Sequence, residues 1–519
     1  MDMINKNIIN CLFSLMILFL PFNNVPESIR VSFVGGILGN KLLFYPFVFF
    51  LIYTIYIQCK YRKLFFNLKI FKKYIYVYAF ITCISLMLGL YNYPYYNLVL
   101  SGPIEQIEKL PKVIHFLNDF EVYVDENLLT IIWMILSRIK DLFLEILYTF
   151  GGAYMIYCWY YDDWKRGFKI LVNSLIVSSF IFYIYNYIEL LYLAGNINAE
   201  NILKNITPYI HIINWNNTWY PTILSIGQMR SVFSEPSFYG IFFSFAMPYY
   251  YYYYFSTRNF CRKLLIIITI IFFTFCLFIT QSRTSLALFF GEQILFIIFV
   301  LYLNKKDIYK KSFVIFMCSV FAFLTSNFYI DNILKNNIYK VNNVSSYIEQ
   351  NLLSINSKSQ RSNAARYSMT IADLKIGLDN YLIGVGYNLR DAYIPDYLTQ
   401  ESKENREIQM WLETRRKWGI LKAGYARLNE YAVRFAETGL IGLILFFLPI
   451  FILIKKCFRN IFREKKVADK LPFIFFIISF IGIIVSGFSM ALNVFYIFWV
   501  LLGLGYAMCF GKETKEQNV

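Results

Sequence analysis

Apolar stretches long enough to cross a bilayer alternate with short polar segments along almost the whole chain. A helical span needs about 20 residues. That ruler places twelve spans, roughly at 7–22, 41–58, 74–92, 141–161, 168–193, 236–256, 264–280, 284–303, 312–328, 431–454, 472–488 and 491–510. The first resembles a signal peptide, but no small-residue cleavage site follows it, so an uncleaved first helix is expected. The segment 128–139, "LLTIIWMILSRI", is too short to span and reads as an amphipathic piece lying at the outer interface.

Three longer polar stretches remain, at roughly 93–140, 194–235 and 329–430. Trp215 and Trp219 in the second suit a membrane–water interface. In the third, Tyr367, Ile371, Leu374 and Leu378 recur at helical spacing, which predicts a helix packed on the membrane domain. "GVGYN" at 384–388 then predicts a turn. The expected fold is an all-α polytopic membrane protein: nine helices in 1–328, a large, partly helical extracytoplasmic loop in 329–430, and three helices in 431–519.

Composition agrees with the pattern. Of 519 residues, 58% are hydrophobic and only 16% charged, against about a quarter charged in soluble domains. The net charge of +17 would suit nucleic acid, but its distribution does not. The basic clusters are short and fall between spans: "CKYRK" (59–63), "WKRGFK" (164–169), "RNFCRK" (258–263), "NKKDIYKK" (304–311) and "KKCFRNIFREKK" (455–466). With twelve spans, all of them lie on one side together with both termini. This is the arrangement of cytoplasmic loops, so a membrane lipid partner and no nucleic acid are expected.

The nine cysteines lie in apolar runs or beside basic clusters, and their spacing fits neither an exterior disulfide framework nor a zinc site. Two histidines, His115 and His211, are too few for a histidine-rich metal centre, and no Ser/His/Asp set or nucleophile elbow is present. "YYDDWKRG" at 160–167 contains an acidic pair, but Lys165 and Arg166 flank it, and it reads as a solvated cytoplasmic loop.

Charge beside a span is costly unless paired or wet, so its exceptions carry information. Arg230 and Glu235 precede the sixth span. Arg283 stands in the tight turn before the eighth. Arg427, Arg434 and Glu437 enter the tenth. Even-numbered spans run from outside to inside, so all three groups mark outward-facing helix N-termini. Free N–H groups and the positive end of the helix dipole favour an anion there. Pro236 suits a first helical turn, with Ser234 as a candidate cap, and Thr284 and Ser285 could cap the eighth span. Arginines added to such termini make a phosphate or pyrophosphate site.

Four segments resemble the O-antigen ligase and polymerase family: "RSVFSEPSFYG", "TQSRTSLALFFGEQILFIIF", "ARYSMTIADLKIGLDNYLIGVGYN" and "NEYAVRFAETGLIGLILFF", in that order from about 228 to 454. The resemblance implies a GT-C-like, metal-independent, inverting membrane glycosyltransferase in the bacterial plasma (inner) membrane, with its site on the extracytoplasmic side and no cofactor. Its donor would be an oligosaccharide on undecaprenyl pyrophosphate, and a chain-length regulator protein would be a further partner. Polymerases pass the growing glycan to the next lipid-linked repeat unit, and ligases pass it to lipid A-core. Ligases open the last segment with His-Asn. Leu428-Asn429 stands there instead, which favours a polymerase.

The leaving pyrophosphate would need positive charge, expected from Arg230, Arg283 and Arg366, with Arg361, Arg427 and Arg434 behind them. Asn429 joins them as a candidate substrate contact. The hydroxyl that attacks would need a base, expected at Glu235 or else at Glu437. An alternative of another class is a flippase of lipid-linked sugars. It would call for charge through mid-membrane depth and repeat symmetry between halves, whereas the charge noted above gathers at one face.

Overall fold

The computed structural model describes residues 3–31, 34, 38–61, 69–103, 106–211, 228–334 and 361–511. Trp215 and Trp219 lie outside them. All regular structure among the described residues is helical. In chain order the helices are α1 (Met3–Phe19), α2 (Phe44–Tyr61), α3 (Lys69–Tyr91), α4 (Tyr96–Leu100), α5 (Leu110–Asp119), α6 (Glu126–Ile146), α7 (Gly152–Tyr160), α8 (Trp164–Leu193), α9 (Ile197–Ile210) and α10 (Pro236–Ser256). They continue with α11 (Phe260–Ile279), α12 (Arg283–Leu303), α13 (Lys306–Asn332), α14 (Arg361–Asp379), α15 (Arg390–Tyr397), α16 (Gln400–Lys403), α17 (Arg406–Trp418), α18 (Glu430–Arg463), α19 (Val467–Ser486) and α20 (Ile497–Phe510).

Each of the twelve expected spans overlaps a helix, the last only from Ile497 onward. Seven of the described helices are long and apolar enough to cross a membrane, and three shorter apolar helices accompany them. The expected interfacial piece at 128–139 is not separate. It is the first part of α6, which runs through a π-helical turn at Leu147–Gly151 straight into α7. From Glu126 to Tyr160 this is roughly 50 Å of helix at about 1.5 Å per residue. Arg138, Lys140 and Asp141 interrupt the apolar run without interrupting the backbone hydrogen bonds, which is why hydropathy alone divided it.

Helix α10 lies at the centre. Pro236 opens it, where a missing N–H costs nothing, and every residue from Tyr239 to Tyr251 is buried. Between apolar helices the attraction is mainly close packing, and aromatic rings supply it here. Phe182 of α8, Phe242 and Phe243 of α10 and Phe273 of α11 interlock with centroids 4.7–6.2 Å apart. Two hydroxyls of the tyrosine run find partners across helices: Tyr250 donates to the Leu175 carbonyl at 3.2 Å, and Tyr251 accepts from Gln293 at 2.8 Å.

Helix directions follow from contacts at the termini. Ser285 near the start of α12 reaches the carbonyl of Pro236 at the start of α10. The Glu430 amide at the start of α18 donates to the Gly487 carbonyl at the end of α19, and Phe495 in the α19–α20 turn packs on Phe233 and Phe238 beside the start of α10. Three N-termini therefore share one end of the bundle. The basic clusters at 164–169, 258–263, 304–311 and 455–466 fall at the opposite end.

The third polar stretch has a small core of its own, with Ala365, Met369, Ala372 and Ile376 of α14 packed against Ile394, Ile408 and Tyr425. The helix expected from Tyr367, Leu374 and Leu378 is present, but those three residues face outward. The packed stripe is made of two alanines, a methionine and an isoleucine, and the small Gly377 lets α14 lie close on α18, against the Phe435 ring.

Candidate functional site

The turn and the last helix that carry the family resemblance interlock. Helix α18 is broken at Gly439, where φ is 64° and ψ is −168°. The Gly384–Gly386 turn fills the break. Val385 and Gly386 donate backbone hydrogen bonds to the carbonyls of Ala436 and Glu437, at 2.9 and 3.0 Å. Leu440 and Ile441 donate back to Tyr381 and Leu382, at 2.7 and 3.3 Å. Ser85 of α3 donates to the carbonyls of both Ile383 and Glu437, each at 2.8 Å.

This joint positions a buried electrostatic network. Arg427 donates to Glu437 at 2.7 Å and to Asn388 at 3.1 Å. Arg434 bonds to Glu430 one turn earlier, to Glu145 of α6 at 3.0 Å and to the Tyr78 hydroxyl at 2.6 Å, and it lies 4.4 Å over the Phe446 ring. Tyr387 donates to the other oxygen of Glu145. The second oxygen of Glu430 accepts the Leu492 amide at 3.1 Å. Arg390 makes a paired contact with Asp373, at 2.6 and 3.0 Å, with both side chains fully buried. Burial and the two carboxylates of Asp373 and Asp391 act in opposite directions on this guanidinium, and the carboxylates prevail, raising its pKa.

Beside this network a cavity of about 430 Å³ opens between Lys41, Asp141, Asn388, Arg427, Glu430 and Asn493. Two other cavities, of about 440 and 580 Å³, lie elsewhere: one beneath α5 without a lysine or arginine in its wall, one at the opposite end of the bundle beside Trp164 and Phe473.

Arg230 and Arg283 belong to a second group at the same end. Glu189 of α8 accepts the amides of Arg230 and Ser231 at 2.9 and 2.6 Å, fixing the loop ahead of α10. The Arg230 guanidinium reaches the Ser234 carbonyl at 3.4 Å, and its buried Nε has no hydrogen-bond partner among the described residues. Glu235 makes no ion pair with Arg230 among the described residues. It is the N-cap residue of α10, and its carboxylate accepts from Ser237 at 3.2 Å. Arg283 is the first residue of α12, capped by Ser282 rather than by Thr284 or Ser285. The helix begins one residue earlier than expected, which moves the capping position back.

The two groups share the turn between α19 and α20. Arg366 donates to the Ser489 carbonyl at 2.5 Å, Lys41 donates to the Asn493 carbonyl, and Phe495 seats the Arg230 loop. Arg361 opens α14, but its side chain lies outside the described residues. Asn429 is the cap of α18, its oxygen accepting from Tyr431 and Ala432 at 3.1 and 3.2 Å. Asp163 of the "DD" pair is likewise a cap, for α8.

Glu145, Glu189, Glu430 and Lys41 were not singled out from the sequence. Neither was Glu292, buried in the middle of α12 with Ser244 donating to it at 2.5 Å. It is an exception to the expected confinement of charge to one face.

The architecture is that of a polytopic helical membrane protein with a cavity lined by both cations and carboxylates at one end. Residues 268–447, from α11 into α18, match the family described as O-antigen ligase. Three of the four segments singled out fall within this stretch, and the match supports the O-antigen ligase and polymerase family and a membrane enzyme of that type. No curated protein and no solved structure matches it.

Proposed function

We propose that this protein polymerises lipid-linked oligosaccharide repeat units, transferring glycan from undecaprenyl pyrophosphate to an acceptor sugar hydroxyl at the outer face of the bacterial plasma membrane. The observation that carries the reading is that the segments resembling the family meet at one end of the bundle, around buried cations and helix N-termini. In this reading there are twelve membrane passes in a GT-C-like arrangement. The basic loops at the other end are cytoplasmic, as the positive-inside rule expects.

Loss of pyrophosphate from a sugar builds up negative charge on the leaving oxygens, and preorganised donors lower that barrier. Arg230 and Arg283 stand at the starts of α10 and α12, where backbone N–H groups add to the guanidinium charge. Arginine stays charged without a metal, which suits a metal-independent inverting transfer. Arg366 adds its charge from α14, whose first residue is Arg361, and Arg427 adds its own from the cavity wall. Arg434 and Asn429 hold this frame in place.

Glu235 and Glu437 lie beside these cations. Glu437 is held by Arg427, and Glu235 stands at the positive end of α10. Both serve here to orient groups at the reacting centre.

The test uses membrane vesicles given lipid-linked repeat units. A ladder of glycan lengths is expected, lost in Arg230→Ala and in Arg283→Ala. If both variants keep the wild-type ladder, the assigned anion site is wrong. The ligase reading draws on the description of the matched family. It predicts that deletion leaves free lipid-linked polymer, whereas loss of a polymerase leaves single repeats.

A further inference from the structure

Lys41 is the one cation of the cavity wall that the roles above leave unused. It stands in the turn before α2, with its side chain buried and lining the cavity beside Arg427 and Glu430. Its surroundings differ in kind from those of the arginines. Arg427 and Arg434 are each paired with carboxylates. Lys41 makes no ion pair with a described residue. Its amine bonds to the neutral carbonyl of Asn493 and sits 5.6 Å over the Tyr148 ring, in the π-helical turn after α6. The side-chain amide oxygen of Asn23, on the same wall, is buried and has no hydrogen-bond partner among the described residues. It is an acceptor available to a ligand hydroxyl.

We propose that Lys41 accepts the proton of the attacking sugar hydroxyl, with the acceptor sugar seated in this cavity. The proposal rests on the polymerase reading and names the base within it. The O–H bond breaks and its proton goes to the Nζ lone pair. The oxygen bonds to the anomeric carbon of the donor, while the bond from that carbon to pyrophosphate breaks and its electron pair leaves with the lipid pyrophosphate. One proton is transferred, and no oxidant or metal is needed.

The electrostatics suit this role. Burial pushes the Lys41 amine down to about 7, with Glu145 acting in the opposite direction. The charged and titratable groups around it are Asp141 and Glu145 of α6, Tyr148, Arg427, and Glu430 and Arg434 of α18. Burial outweighs the pull of Glu145, so the neutral amine is populated near neutral pH.

The test is the pH dependence of polymerisation by purified protein in liposomes. The wild-type rate should rise with pH through about 7. Lys41→Met should lose about 10²- to 10⁴-fold, the range of a general base, and should lose the rising limb. Lys41→Arg keeps the cation and its hydrogen bond but gives up no proton, and it should stay as slow. Binding of lipid-linked substrate should change little in either variant. If Lys41→Arg works at the wild-type rate, the residue is only a positioning cation and the proposal falls while the polymerase reading stands. If the wild type makes no polymer at all, both fall. Competitive acetylation read by mass spectrometry gives an independent readout: a Lys41 amine titrating near 10 would also overturn the proposal.

Discussion

Gly439→Ala is the substitution that bears most directly on how the site is built. At φ 64° and ψ −168°, residue 439 occupies backbone space that is essentially reserved for glycine. Strain of this kind costs about 1–3 kcal/mol. An added Cβ would also lie 2.4 Å from the backbone of Leu382 and Ile383, which cannot rotate away as a side chain could. Relief requires the Gly-x-Gly segment to move off α18. That motion breaks the bonds from Leu440 to Tyr381 and from Ile441 to Leu382, at about 1 kcal/mol each. Together these come to roughly 3–5 kcal/mol. Gly291→Ala is the control. Nothing lies within 4 Å of its would-be Cβ in the middle of α12, and alanine there should be neutral or stabilising by up to about 1 kcal/mol. Thermal unfolding in detergent, followed by loss of monodisperse protein, should show a clear fall in Tm for Gly439→Ala and none for Gly291→Ala. Equal Tm values for the two variants would refute the interlock.

Three further outcomes follow from the same geometry. Arg390→Met should destabilise by about 3–5 kcal/mol, because it leaves Asp373 charged and buried without its partner, and adding Asp373→Leu should recover part of the loss in the same unfolding assay. Glu189→Gln places an NH₂ group against one of two backbone amides it now accepts. It should cost about 1–3 kcal/mol and free the Arg230 loop, seen as faster hydrogen exchange at Arg230 and Ser231 than in the wild type. Asn429→Ala should cost about 1 kcal/mol as a lost helix cap, with Asn429→Ser restoring most of it.

The helical scaffold was legible because apolar runs bounded by basic clusters leave little choice of element. Its exceptions have physical causes. α6 continues through charged residues because a helix needs only its backbone bonds, so the hydropathy gap at Arg138–Asp141 hid a single rod. The face of α14 was misread because Ala365, Ala372 and Gly377 pack closely by being small, while Tyr367 and Leu378 point outward. The site was legible in part. Arg230, Arg283 and Arg427 stood out as charges beside apolar runs. Glu145 and Glu189 did not, because Glu145 reaches Arg434 across 289 residues and Glu189 reaches Ser231 across 42. Lys41 stands alone at the edge of an apolar run, and such a lysine reads like any interfacial anchor. Only the fold shows it turned inward beside Arg427. The break at Gly439 is likewise silent in the sequence, where Thr-Gly sits inside an otherwise ordinary apolar helix.

The central claim is that this chain joins lipid-linked repeat units to one another. The most direct measurement is to reconstitute the purified protein alone in liposomes with a lipid-linked repeat unit and resolve the products by size. The account predicts a ladder of lipid-linked glycans spaced by one repeat, with lipid pyrophosphate released at each addition. Unchanged single repeats, or transfer only when lipid A-core is supplied, would contradict it.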